Sequence, residues 1–143
     1  MSGTNDIVRQ YNYKLETGTV GTDDENIANI LYNTNRMEMD ASYSSSDEDE
    51  LDNALGELFF TIADSKVHLK RFLDAHGSKI NADTAAAVTA KFDSALAVVR
   101  GAREMEPSDT VEMSAAFGKI YKIFLDAVPG VLVLDAQAVG REG

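Results

Sequence analysis

The 143-residue chain contains no cysteine and no tryptophan, and it has only two prolines and two histidines. The lack of cysteine excludes disulfide bonds, thiolate metal sites and a cysteine nucleophile. No amino-terminal apolar run resembles a signal peptide, and no stretch is long and apolar enough for a membrane-spanning helix. The sequence therefore predicts a protein of the cytoplasm or of a virion, without a membrane partner.

Basic residues are also few, and this shortage is concentrated in the front third of the chain. The formal net charge is −11. Up to Asp52 there are twelve acids and three bases, whereas from Asn53 onward twelve acids face ten bases. An acidic front disfavours nonspecific contact with nucleic acid or with an anionic membrane. It is compatible with docking on a basic protein.

The familiar catalytic and metal-binding patterns are missing from the sequence. There is no GxxxxGK[ST], no GxGxxG, no zinc spacing and no EF-hand loop. Asp64 and His68, four residues apart, are the best candidate metal pair, but the other helices offer no second pair of this kind. An ordinary hydrogen bond between them is the preferred interpretation. We therefore predict no catalytic, cofactor or metal site, and no enzymatic activity.

The longest amphipathic stretch is a helix predicted at about 47–76. Its apolar residues recur at steps of four and three: Leu51, Leu55, Leu58, Ile62, Leu69 and Phe72, with Ser65 and His76 as weak positions. Other large apolar residues lie off this seam, namely Phe59, Phe60, Val67 and Leu73. The helix should therefore be covered on more than one side. Gly77 is expected to end it in the left-handed conformation.

The start of this helix is strongly acidic. Asp47, Glu48, Asp49 and Glu50 fill its first turn, where carboxylates favour the free N–H groups and the positive end of the helix dipole. One of Ser44, Ser45 and Ser46 is expected to be the N-cap. This structural explanation is sufficient, while a basic partner, a divalent ion or phosphorylation of Ser46 are the functional alternatives.

Two further helices are predicted at about 83–105 and 109–128. Asn81 or Asp83 caps the first and Pro107 stops it, while Ser108 or Asp109 begins the second. Short connections imply antiparallel neighbours, so the fold class is all-α, with three long antiparallel helices in a bundle. Pro129 and Gly130 are expected to break the last helix. The apolar run 131–134 then becomes a strand, a turn plugging the core or a contact between subunits.

The front of the chain is predicted to be a polar arm that carries one short helix. Thr22 and Glu25 have the spacing of a capping box, and a helix of about 23–36 follows. Its apolar face needs a surface, which is either its own bundle or the groove of a partner. We accordingly divide the chain into an arm, 1–43, and a helical bundle domain, 44–143.

These features favour a non-enzymatic structural or assembly protein, a helical subunit or adaptor of a homo-oligomer or phage-like particle. Its partners would be proteins, chiefly other copies of itself, contacted through the arm, and not nucleic acid. The candidate contact residues are Tyr11, Tyr13, Ile27, Ile30, Leu31, Asp47, Glu48, Asp49, Glu50, Val131, Leu132, Val133 and Leu134.

The sequence is also compatible with two alternative functions. The first is an acidic inhibitor that occupies the nucleic-acid groove of an enzyme, which the charge of the front third favours. The second is an all-α, magnesium-dependent nucleotide pyrophosphatase. Such an enzyme gathers magnesium with paired acids on two helices. Here Glu50 is followed by Asn53 and Glu57, and the second helix lacks the partner motif.

Overall fold

A computed structural model describes residues 24–105 and 109–140, and all regular structure in these ranges is helical. The helices are α1 (Glu25–Asp40), α2 (Glu48–His76), α3 (Ala82–Arg103) and α4 (Thr110–Ala138), with a 3-10 turn at Gly77–Lys79. They pack as a bundle, which confirms the predicted all-α class. None of these described helices contains a segment long and apolar enough to span a bilayer.

The helix starts are fixed by Asp and Asn side chains. The N-caps are Asp24, Asp47, Asn81 and Asp109, and each side chain accepts hydrogen bonds from backbone N–H groups of the first turn. The expectation of a serine cap for α2 is therefore wrong. Ser45 instead supports the cap, because its hydroxyl accepts a bond from the Asp47 N–H at 2.9 Å. Thr22 and Ser108 lie outside the described residues.

Gly77 also differs from its expected role. Its φ is −50°, in the right-handed helical region, and the chain passes through it into the 3-10 turn. The left-handed ending was therefore wrong. Since the chain tightens into i→i+3 geometry here, no residue of positive φ is needed to end α2.

The core lies along the predicted seam of α2. Its six apolar members are at most 5% exposed. Helices α3 and α4 form the most extensive helix pair, and at its centre the rings of Phe92 and Phe124 stack with centroids 4.6 Å apart. Both rings are essentially inaccessible to solvent. The seam therefore packs against a second hydrophobic layer contributed by α3 and α4.

Helix α4 continues through Pro129, so the predicted break was wrong. Proline removes the N–H that normally bonds the carbonyl four residues earlier, at a cost of about 3 kcal/mol. Beyond Pro129, however, Val131 and Leu134 are 1% and 0% exposed. Burying each such side chain contributes about 1.5–3 kcal/mol, which offsets the proline. The run 131–134 is thus helical, and neither a strand nor a turn.

Helix α1 is longer than predicted and packs on its own bundle. It contacts α2 and α4, and its apolar face of Ile27, Ile30, Leu31 and Met37 is at most 2% exposed. Of the two surfaces that the sequence allowed for this apolar face, the face therefore packs on the first, the chain's own bundle. Removing α1 would uncover part of the core, so it cannot be separated from the bundle without loss of stability.

Helices α2 and α3 are tied at one end by an ion pair. The Arg103 guanidinium donates from Nε and Nη2 to the two carboxylate oxygens of Asp52, at 3.0 and 3.2 Å. Gly56 leaves room for this fork, since a Cβ there would lie 3.3 Å from Arg103 Nη1. One turn earlier on α3, Arg100 lies over the ring of Phe59, 5.5 Å from its centroid.

The Asp52–Arg103 pair predicts a defined pH dependence. The hydrogen bonds from Arg103 are the main reason that the pKa of Asp52 is lowered from its usual value, against a smaller opposing effect of burial. A carboxylate with a lowered pKa stabilises the fold above its unfolded pKa, and this contribution is lost as pH falls through the folded value. Because Asp52 is 42% exposed, solvent screening limits the contribution to about 0.2–1 kcal/mol.

We therefore expect Asp52→Asn to lower the free energy of unfolding by that amount near neutral pH. The difference from wild type should shrink as pH falls below about 4 and as salt is added. Urea unfolding followed by circular dichroism at several pH values measures it. Asp126→Asn, an exposed acid on α4, is the control. An equal loss in both variants, or a loss independent of pH, would contradict the assignment.

Candidate functional site

The candidate site is the outward face of α2, which has three consecutive zones. The first is the acidic end, Asp47–Glu50, where all four residues are exposed. Asp47 Oδ1 accepts bonds from the N–H groups of Asp49 and Glu50 at 2.9 and 3.3 Å. Glu50 additionally accepts a bond from the Ser45 hydroxyl at 3.1 Å. The acid run thus stabilises the helix start, and all four of its residues remain exposed to solvent.

The second zone is an apolar stripe formed by Phe60, Ala63 and Val67. Phe60 is 73% exposed and Val67 is 46% exposed. The spacing of three and four residues places all three on one side of the helix. The expectation that α2 is covered on more than one side therefore holds for Phe59 and Leu73, which pack against the core, but not for Phe60 and Val67. Sequence reasoning identified these two residues as off the seam but wrongly expected them to be covered.

The third zone is the basic end, formed by Lys66, Lys70 and Arg71. Lys66 forms an ion pair with Asp93 of α3, and Lys70 pairs with Asp74 one turn later at 2.9 Å. An open apolar groove of about 390 Å³ lies beside them, with Val67, Leu69, Leu73 and Thr89 among its lining residues. The outward face of α2 is therefore acidic at its start and apolar near its middle, and both lysines of its later part are paired with carboxylates.

Asp64 and His68 belong to a polar contact between α1 and α2. His68 Nε2 lies 3.5 Å from Asp64 Oδ1, and His68 Nδ1 lies 2.9 Å from Asn26 Oδ1 on α1. On the same side, Asn33 donates to Asp64 Oδ2 at 3.0 Å, and it also donates to the buried Ser65 hydroxyl at 3.0 Å. Asp64 and His68 therefore position α1 against α2. The hydrogen bond from Asn33 explains why Ser65 is polar on an otherwise apolar seam.

The other histidine holds the same helix at its start. His76 Nε2 lies 3.2 Å from Asp24 Oδ2, and the remaining oxygen of Asp24 caps α1. Both histidines of the chain thus connect the end of α2 to the beginning of α1. Asp24, the first described residue, is consequently held near the carboxyl end of α2.

A second cavity, of about 440 Å³, lies between α1, α2 and α4. Its lining includes Arg36, Asp40, Tyr43, Glu50 and Glu57, and Tyr43 meets the ring of Phe117 edge-on at 5.2 Å. Within residues 24–105 and 109–140, no three histidine or carboxylate side chains are grouped so that they would hold a metal ion. The cavity is an open cleft, and its lining carries both positive and negative side chains.

The predicted contact residues fall into three groups. Ile27, Ile30, Leu31, Val131 and Leu134 are buried in the chain's own bundle, and Leu132 packs partly against the core. The acidic residues and Val133, which is 45% exposed, lie at the surface. Tyr11 and Tyr13 lie outside the described residues. The described members of this set therefore do not share one surface.

The fold and these surfaces define an acidic, all-α bundle protein. Comparison with protein families, with curated proteins and with solved structures finds no match to this chain. A functional interpretation therefore depends on the chain's own residues.

Proposed function

We propose that the protein is a non-enzymatic structural or assembly subunit, part of a homo-oligomer or of a phage-like particle in a cytoplasmic or virion setting. The observation that supports this most directly is apolar exposure. Among the described residues, Met39, Phe60 and Val111 are 81%, 73% and 75% exposed. Burying such side chains against another protein is favourable at about 25 cal/mol per Å² of apolar surface.

The amino-terminal arm is the second support. Residues 1–23 join the bundle at Asp24, beside His76, and contain Tyr11 and Tyr13, residues of a type that interfaces favour. In the proposed function this segment reaches a neighbouring copy. The acidic end of α2 adds negative charge for a basic contact on that neighbour.

Light scattering after size exclusion tests the role of the arm. We expect the full chain to form a defined oligomer, and a variant lacking residues 1–21 to have a lower mass. This variant keeps Asp24 and the whole of α1, so the core stays covered. Unchanged circular dichroism is the control for folding.

If both proteins are compact monomers, the assembly proposal fails. The acidic surface would then be better explained by a foreign basic partner, which a pull-down at low salt would identify. If both proteins have the same oligomeric mass, the arm is not the contact, although the subunit assembles.

A further inference from the structure

We propose that the open cleft between α1, α2 and α4 binds a linear aliphatic polyamine, that is, a methylene chain carrying two or more amino groups. The cleft has a volume of about 440 Å³, and its lining combines separated carboxylates with apolar side chains. This inference goes beyond the proposed assembly function and does not depend on it, because a small molecule can bind to a single copy of the chain.

The charge of the cleft favours a cationic ligand. Its charged lining residues are Asp40 from the end of α1, Glu50 and Glu57 from α2, and one base, Arg36. Within the part of the chain that the structure describes, none of these four side chains forms an ion pair. Arg36 instead lies over the ring of Tyr32, 6.0 Å from its centroid. The lining therefore keeps a formal charge of −2, which attracts cations.

The spacing of the carboxylates favours an extended cation over a compact one. Among residues 24–105 and 109–140, no three carboxylate or histidine side chains are grouped so that they would hold a metal ion. Glu50 and Glu57 are seven residues apart, which is about 10 Å along α2, while Asp40 belongs to the α1 side of the cleft. A compact ion cannot reach all three carboxylates. Amino groups spaced along one chain can contact several of them at once.

The apolar part of the lining suits the methylene groups of such a ligand. Leu58 and Phe117 line the cleft and are only 5% and 3% exposed, so they belong to the edge of the core. Tyr43 also lines the cleft, and its ring meets that of Phe117 edge-on. Methylene groups are removed from water against these side chains, and an aromatic ring attracts a nearby ammonium group. A hydrated inorganic cation gains no such burial.

Asp40 lies where the fold itself disfavours a carboxylate. It is the last residue of α1, and the last turn of this helix contains no basic residue. Because the carboxyl end of a helix dipole is negative, an acid at this position is destabilising. The acid run at the start of α2 stabilises a helix start, but Asp40 and Glu57 lie outside any first helical turn. A bound ammonium group would supply the counter-charge that Asp40 lacks.

Isothermal titration calorimetry of the full chain with spermidine, in a low-salt buffer, tests the proposal. We expect saturable binding of one spermidine per chain. Mg²⁺ and n-butylamine should bind at least about ten-fold more weakly, because each engages fewer carboxylates. Putrescine has the same charge as Mg²⁺ and should also bind more tightly than Mg²⁺. The absence of saturable spermidine binding, or equal affinities for putrescine and Mg²⁺, would overturn the proposal.

Charge variants locate the site. Glu57→Gln and Asp40→Asn should each weaken spermidine binding about three- to ten-fold, because each removes one partner of an ammonium group. Glu38→Gln is the matched control, since it removes the same charge from an exposed residue of α1 that does not line the cleft. It should change the affinity by less than about two-fold, because solvent and salt screen distant charges. Arg36→Gln should strengthen binding, because it removes the positive group of the lining. Equal losses for Glu38→Gln and Glu57→Gln would show attraction by net charge alone and overturn the site.

Asp40→Asn also separates a binding role from a structural one. Without ligand, this variant should be at least as stable as the wild type in urea, because the helix dipole disfavours the acid. Spermidine should raise the urea midpoint of the wild type more than that of the variant. A ligand-free variant less stable than the wild type would contradict the role assigned to Asp40. A monomeric chain that binds spermidine refutes only the assembly proposal, and an oligomer that does not bind it refutes only the polyamine site.

Discussion

Replacing Phe92 by alanine is expected to lower the free energy of unfolding by about 3–5 kcal/mol, the usual cost of truncating a buried phenylalanine. Phe92 is 0% exposed and stacks on Phe124 with an interplanar angle of 9°. Truncation removes this contact and leaves a cavity between α3 and α4, the most extensive helix pair. Since domains of this size are stable by about 5–15 kcal/mol, the variant would be marginal.

Urea unfolding followed by circular dichroism measures the effect. Phe92→Leu keeps part of the side-chain volume and should lower the free energy of unfolding by less than Phe92→Ala. The leucine variant can therefore still be measured if the alanine variant does not fold. Phe60→Ala, at dilute concentration, is the matched control because its ring is 73% exposed. If Phe92→Ala and Phe60→Ala were equally stable, the packing described for α3 and α4 would be wrong.

The second large effect is expected at Gly130. A Cβ at this position would lie 2.7 Å from Val88 Cγ2 on α3, well inside van der Waals contact. Val88 is 2% exposed and β-branched, so it has little freedom to rotate away within a helix. Gly130→Ala should therefore cost about 1–3 kcal/mol, as overpacking does, despite the better helix propensity of alanine.

Gly101→Ala is the matched control on α3. A Cβ at Gly101 meets no atom within 4 Å, so this variant should gain up to about 1 kcal/mol. In addition, Gly130→Ala should cost less when Val88 is also alanine, because the shorter side chain removes the clash. The same cost in both backgrounds would show that the close approach of α4 to α3 is not responsible.

The residue pattern by itself determined the helices and the main core. The apolar steps of four and three along α2 predicted the buried seam from Leu51 to Phe72, and the structure confirms all six apolar members. Helix starts were found to within a few residues, because Asp, Asn, Ser and Thr are the side chains preferred for capping the free N–H groups there. Local hydrogen bonding and periodicity suffice for such features.

Only the tertiary structure decided where local preference is overruled. Proline at position 129 opposes a helix, but the burial of Val131 and Leu134 carries α4 on to Ala138. Likewise, Phe59 and Phe60 both lie off the apolar seam of α2. The position of α3 decides that Phe59 is covered and that Phe60 stays in solvent. The pairing of Asn33 with Ser65 joins residues 32 apart in the chain. Such outcomes depend on which helices become neighbours, because burial and long-range hydrogen bonds are properties of the packed bundle and not of any segment alone.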